Sequence, residues 1–371
     1  MMDDVGECDN GEAKKRRTFS SCLQRHWMLV AVLLTSVIAA LLPDPGVDAY
    51  SVLNVPILAA LFFFQGLLLD IYMMRESFKR KALPSHIALQ AFSLLATPLM
   101  YYIIVYRWHW EVSFLGKLIA DGAMVALCMP TTTSTSLLFT QIAGGDASFA
   151  ALHCCAGQLL GILIAPFLAS ALLESKNSVS PSDLLDHAKT LALRVALPLL
   201  CGIGTNMVVA KRCAGGGIPP RIRKIISAVN IFFLIALLWM IFCKAASAAE
   251  GTSRLDASTL LILLAWISCI HIIVAATAWF AASPFPPERR VAFAIVGAQK
   301  TEAMALAILS LVFSKAQDDL GILSLPIIAY HSIQMIAAAL ALPKLGSWLG
   351  RRTQMRDDDN TRRLLAHPNR C

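Results

Sequence analysis

Apolar residues run through this chain in stretches of about twenty, divided by short polar segments. Ten such stretches can be placed, at roughly 26–43, 50–70, 83–106, 115–141, 147–173, 188–210, 224–245, 257–281, 290–313 and 320–342. About twenty residues of helix, rising 1.5 Å each, cross the hydrocarbon core of a bilayer. The pattern therefore predicts an all-α polytopic membrane protein with ten transmembrane helices. Two stretches interrupt their own pattern. Span 4 carries MPTTTSTS, and span 9 reads VAFAIVGAQKTEAMALAILSLVF.

Composition agrees with the pattern. The chain is 57% hydrophobic and 15% charged, whereas a soluble domain carries about 25% charge. The net charge of +8 is segregated, which argues against a nucleic-acid partner. Of the 32 lysines and arginines, 23 fall in 1–25, 75–81, 211–224, 289–290 and from 344 onward. Seven fall in the alternate segments, where the acidic, turn-rich PDPGVD and ESKNSVSPSD also lie, and Arg194 and Lys300 sit inside spans. The positive-inside rule then places both termini in the cytoplasm. The basic run at 14–17 precedes the first span, but PDPGVDAYS is a poor cleavage site, so that span is read as retained. Ten cysteines, most of them in apolar segments and without a C-x-x-C spacing, read as small apolar residues.

Ten spans divide into five plus five. An odd number per half turns the second half over in the membrane, giving the inverted repeat of many secondary transporters. The resulting organisation is a disordered basic tail (1–25), a first five-helix repeat (26–173), an extracytoplasmic connector (174–187), a second repeat (188–343) and a cytoplasmic C-terminal tail (344–371). Spans 4 and 9 then correspond to one another.

Six hydroxyl residues at 131–136 would cover every face of a regular helix. Pro130 removes a backbone hydrogen bond beside them. A break in span 4 is the simplest resolution. Non-helical backbone at membrane depth must be buried in protein or line a cavity, and its oxygens suit a hard cation. In span 9, Lys300 lies about ten residues from either end, where a charge is a functional candidate. Glu302, two residues on, can reach it only if the backbone unwinds. His331 and Gln334 share a face of span 10. Substrate or coupling roles are therefore expected for Thr132, Thr133, Lys300, Glu302, His331 and Gln334.

PTTTSTSLLFTQIAGGDASFAALHCCAGQLLG, AIVGAQKTEAMALAI and SLPIIAYHSIQMIAAALALPKLGSWL resemble the bile acid:sodium symporter superfamily, best its sodium/bile acid cotransporter 7-like (SBF-like) branch. The resemblance covers roughly 26–350. It implies a panel domain (spans 1, 2, 6, 7), a core domain (spans 3–5, 8–10) and broken spans 4 and 9 crossing near the membrane centre. It also implies uptake of a small organic anion coupled to sodium, with no other cofactor. Carried over by position, one sodium site looks like Thr135 and Ser136 with Phe149 and His153. The other looks like Gln90 and Gln299 with the carbonyls of Val296 and Ala298. The family's acidic residue falls at Ile295, and an ammonium has arrived at Lys300. Proton coupling through Lys300 or His153 is the alternative to sodium. A transporter-fold regulator of intracellular calcium homeostasis is the competing function. An intramembrane enzyme is not supported: H-E-x-x-H is absent, and AGGDAS has no second aspartate to match. The expected setting is the plasma membrane or a secretory-pathway membrane.

Overall fold

The apolar stretches fold as helices, and no strand occurs among the described residues. A computed structural model of the chain describes residues 34–35, 37–69, 83–106, 116–173, 185–186, 189–190, 192–212, 218–250, 257–313 and 319–366. Half of span 1, the N-terminal tail and most of the 174–187 connector lie outside these residues. Eight described segments are long and apolar enough to cross a membrane. Many of their large apolar side chains, such as Val52, Leu261 and Phe280, point outward, as a lipid-facing surface requires.

Helix α1 (Asp44–Leu68) starts six residues earlier than the hydropathy pattern predicts. PDPGVD, expected as a loop, supplies its first turn. Proline at the first positions lacks an N–H that would be unsatisfied there anyway, and Asp44 complements the helix dipole. At the other end, Arg223 donates to the carbonyl of Leu68 (3.0 Å) and Asn206 to that of Leu69. These bonds satisfy carbonyls that a helix end leaves free.

Helix α2 covers 83–106 and contains two π-turns, Phe92–Ala96 and Tyr102–Tyr106. Span 4 divides into α3 (Lys117–Cys128) and α4 (Ser134–Ile142). Helix α5 (Ala147–Leu172) follows, its N-terminus capped by Asp146 accepting from the Phe149 N–H at 2.9 Å. The second half holds α6 (Ala192–Arg212), α7 (Pro220–Glu250) and α8 (Ala257–Ala281). Span 9 divides into α9 (Pro287–Ala298) and α10 (Glu302–Val312). Helix α11 (Leu320–Ala366) runs well past the predicted end of span 10. Leu345, Trp348 and Leu349 account for the first two turns of the extension, because they continue an apolar stripe onto Phe139 and Val291.

Helix α1 packs chiefly on α6 and α7, whereas α11 packs chiefly on α3. The α1–α6 crossing is close: a Cβ on Gly66 would lie 2.2 Å from the Leu199 carbonyl, and one on Gly202 would lie 2.1 Å from that of Phe63. Helices α9 and α10 form the centre of the molecule. As one segment they are 94% buried, against 22–50% for the other seven. At one end a polar latch holds the α4–α5 and α8–α9 connections together. Asp146 accepts from Arg289 (3.3 Å), and its N–H donates to the Glu288 carbonyl (3.0 Å). Arg290 lies over the rings of Trp279 and Trp348, 4.2 and 5.5 Å from their centres.

Candidate functional site at two helix breaks

The two breaks meet in the core. Helix α3 stops at Cys128 because Met129 turns extended (φ −75°, ψ 151°) ahead of Pro130, as the residue before a proline prefers. Residues 299–301 are likewise non-helical. The Thr301 N–H donates to the Pro130 carbonyl (2.9 Å), and the Thr131 hydroxyl is shared between the carbonyls of Val296 and Gln299. Each opened backbone therefore supplies partners for the other, which settles where their buried N–H and C=O groups go.

A glutamine clamps each break from a neighbouring long helix. On α5, Gln158 Nε2 donates to the Thr131 carbonyl (3.0 Å), and Cys154, one turn earlier, donates to that of Thr132 (3.6 Å). On α11, Gln334 binds the Lys300 backbone twice. Its Oε1 accepts from the Lys300 N–H (2.8 Å), and its Nε2 donates to the Lys300 carbonyl (3.0 Å). The amide thus replaces the hydrogen bonds that unwinding removed. Gly161 makes room for Pro130, since a Cβ there would sit 2.5 Å from the proline ring.

The Lys300 ammonium turns toward α2 and the end of α3. It donates to the Met129 carbonyl (3.0 Å), the Thr97 hydroxyl (3.3 Å), the Ser93 hydroxyl (3.4 Å) and the Ser93 carbonyl. The π-turn explains why Ser93 is available. The Thr97 N–H bonds Phe92 rather than Ser93, and Pro98 has no N–H to offer. Met129 stands at the C-terminus of α3, where a cation complements the helix dipole. The ammonium is buried, and neutral oxygens surround it.

Glu302 goes elsewhere. It opens α10, where its charge suits the helix N-terminus. Its carboxylate lies 3.3 Å from His331 Nδ1 and not against Lys300. Both residues line a cavity of about 950 Å³ bounded by α1 and α7 on one side and by both breaks on the other. Thr132, Thr135 and Thr301 also face it, as do Gln65 of α1 and Asn230 of α7.

The residues carried over by resemblance are brought together only in part. Thr135 and Ser136 both donate to Gln299 Oε1, at 3.0 and 2.8 Å. Phe149 and His153 are buried, with Phe149 against His86 and both ring nitrogens of His153 without a partner. Gln90 Nε2 donates to the His153 carbonyl (3.1 Å), and Gln90 Oε1 receives no donor. The Val296 carbonyl accepts from Thr131 and that of Ala298 from Tyr330 (3.0 Å). Ile295, at the family's acidic position, packs in an apolar cluster with Phe139 and Leu349. Thr133 is buried beside Gln158.

The sequence reading missed Gln158, Ser93, Thr97, Gln65 and Asn230. A lone glutamine in the middle of apolar α5 was the available signal for Gln158. Ser93 and Thr97, one turn apart and ahead of Pro98, were the signal for the ammonium's partners.

Interrupted helices that meet in a buried core beside a cavity mark a class of multi-pass helical membrane transporters. Residues 26–345 match the SBF-like CPA transporter family, and the chain belongs to that family. It is similar to the sodium/bile acid cotransporter 7 of Danio rerio, 22% identical over 89% of this chain and 96% of that protein. The Rattus norvegicus protein of the same name is 24% identical over 88% of this chain and 94% of its own length. The probable sodium/metabolite cotransporter BASS4, chloroplastic, of Arabidopsis thaliana is 29% identical over 59% of this chain and 50% of that protein.

Proposed function

We propose that this chain is a secondary active transporter in which a small organic solute occupies the cavity beside the helix crossing, its movement coupled to sodium or protons. The cavity of about 950 Å³ lined by both helix breaks carries this reading. A solute there touches the residues whose backbone is least fixed by helix geometry. The names of the relatives support sodium as a coupling ion. Thr135 and Ser136 fit that role chemically: each hydroxyl donates to Gln299 and keeps lone pairs for a hard cation. Glu302 and His331 in the same lining are groups that could carry a proton instead.

An inverted repeat of two five-helix halves fits the equivalent use of Gln158 on α5 and Gln334 on α11, each clamping one break. The loop charges favour both termini in the cytoplasm. The test is flux into proteoliposomes containing the purified full chain, under an imposed sodium or proton gradient. Saturable, gradient-dependent uptake is expected, and its absence under both gradients across a broad solute panel refutes the proposal. The anionic solute implied by the resemblance has weak local support: among the described lining residues there is no lysine or arginine.

A further inference from the structure

Resting on the transport reading, we infer that the cavity takes an amphipathic organic cation whose primary or secondary ammonium is held by Glu302. The inference starts from Gln334. Its Oε1 accepts from the Lys300 N–H, a group that can only donate, so the orientation of the amide is fixed. Its Nε2 must then face the Lys300 carbonyl and His331 Nδ1, the latter at 3.0 Å. That contact favours Nδ1 as the acceptor, with the ring proton on Nε2, which is buried and has no partner of its own. In that tautomer His331 has no proton to give Glu302, although Nδ1 lies 3.3 Å from the carboxylate. Glu302 is 4% exposed, and neither of its oxygens accepts a hydrogen bond.

A buried carboxylate without a donor is costly unless it takes up a proton or a cation joins it, and a bound cation lets it stay charged. Lys300 does not serve, because its ammonium is turned to Ser93, Thr97 and Met129, none of which lines the cavity. Gln65 of α1 and Asn230 of α7 also line the cavity, and the side-chain oxygen of each is buried without a donor. An ammonium offers two or three N–H groups to such oxygens and no acceptor to conflict with them. Leu138, Phe139, Ile231 and Leu234 supply an apolar wall for the rest of the solute. An organic anion would meet Glu302 with no lysine or arginine among the described lining residues to offset it. Glu302 and His331 are the titratable groups of that lining.

The test uses the purified full chain and three probes with the same hydrocarbon body: phenylbutylamine, phenylbutyrate and phenylbutanol. Binding is read by titration calorimetry, and flux by counterflow in proteoliposomes. Phenylbutylamine should bind, and phenylbutyrate should not. Glu302→Gln should weaken phenylbutylamine at least tenfold while leaving phenylbutanol nearly unchanged. Asn230→Lys puts an ammonium into the cavity and carries the test if Glu302→Gln does not fold. It should expel phenylbutylamine and admit phenylbutyrate. Binding of phenylbutyrate but not the amine by the wild type overturns the inference, as does an unchanged amine affinity in Glu302→Gln or silence of all three probes. Amine binding without saturable flux keeps the cation site and removes the transport reading. Saturable phenylbutyrate uptake by the wild type does the reverse.

Discussion

Replacing Lys300 with alanine tests whether the ammonium occupies a place that a free cation could fill. Nζ has the Met129 carbonyl at 3.0 Å, the Thr97 and Ser93 hydroxyls at 3.3 and 3.4 Å, and the Ser93 carbonyl beside it. These are neutral oxygens of the kind a hard cation uses. While the ammonium is present, a second cation about 4 Å away would be opposed by roughly 4 kcal/mol at an effective dielectric near 20, or about a thousandfold in affinity. The wild type should therefore take no sodium there. Lys300→Ala takes the ammonium from the Met129 carbonyl and leaves the Ser93 carbonyl only the Thr97 hydroxyl at 3.2 Å, at about 1–3 kcal/mol for a buried group left unmet. Sodium can repair that loss: at about a hundred times its Kd, a bound ligand contributes about 2.7 kcal/mol. The assay is the unfolding temperature of purified protein in sodium chloride and in choline chloride at equal ionic strength. The variant should be destabilised in choline and recover in sodium, while the wild type responds little to the exchange. An equal sodium response in both proteins would refute the reasoning, and so would a variant that loses no stability in choline.

Gly66→Ala should lower the unfolding temperature through a clash worth about 1–3 kcal/mol, because its Cβ would lie 2.2 Å from the Leu199 carbonyl; Gly204→Ala, where nothing lies within 4 Å, should not. Gln299→Ala removes the acceptor of Thr135 and Ser136 and should cut gradient-driven flux about tenfold or more, since a half-buried and a buried hydroxyl each lose a partner at about 1 kcal/mol; unchanged flux would take these hydroxyls out of the coupling mechanism. Trp348→Ala removes one ring facing Arg290 and should cost about 0.5–2 kcal/mol of stability, read from the same unfolding curves, with ligand binding retained.

Much of the frame was legible because hydrophobic length and backbone chemistry act locally. Pro130 followed by six hydroxyls announced the break in span 4, and α3 does end at Cys128. A lysine far from either end of span 9 announced the second, and α9 does end at Ala298. Proline in the first turn concealed the start of α1, since PDPGVD reads as a turn when its use in helix initiation is not weighed. The partners of the central charges were harder to read. The Ser93 carbonyl is freed from its backbone partner because a π-turn diverts the Thr97 N–H, and no periodicity encodes that diversion. The Glu302–His331 contact depends on which way an unwound segment turns, and the lining of the cavity depends on how α1 and α7 approach the crossing.

The sequence K-T-E at the second break follows from the polarity of helix ends. A break in one helix creates a C-terminus with bare carbonyls and an N-terminus with bare N–H groups. Two breaks placed together create two of each. A cation is stabilised at the C-terminal kind and an anion at the N-terminal kind. Lys300 reaches across to the carbonyl end of α3, while Glu302 stays at the N–H end of its own α10. Between them, the Thr301 N–H holds the two breaks together through the Pro130 carbonyl. Two opposite charges separated by a single residue are thereby sent to different surroundings, one enclosed by α2 and α3 and one facing the cavity. Had they met each other, the ion pair would have left the cavity without a charged group from this segment. Their separation lets Lys300 hold the crossing together and leaves Glu302 in the lining of the cavity.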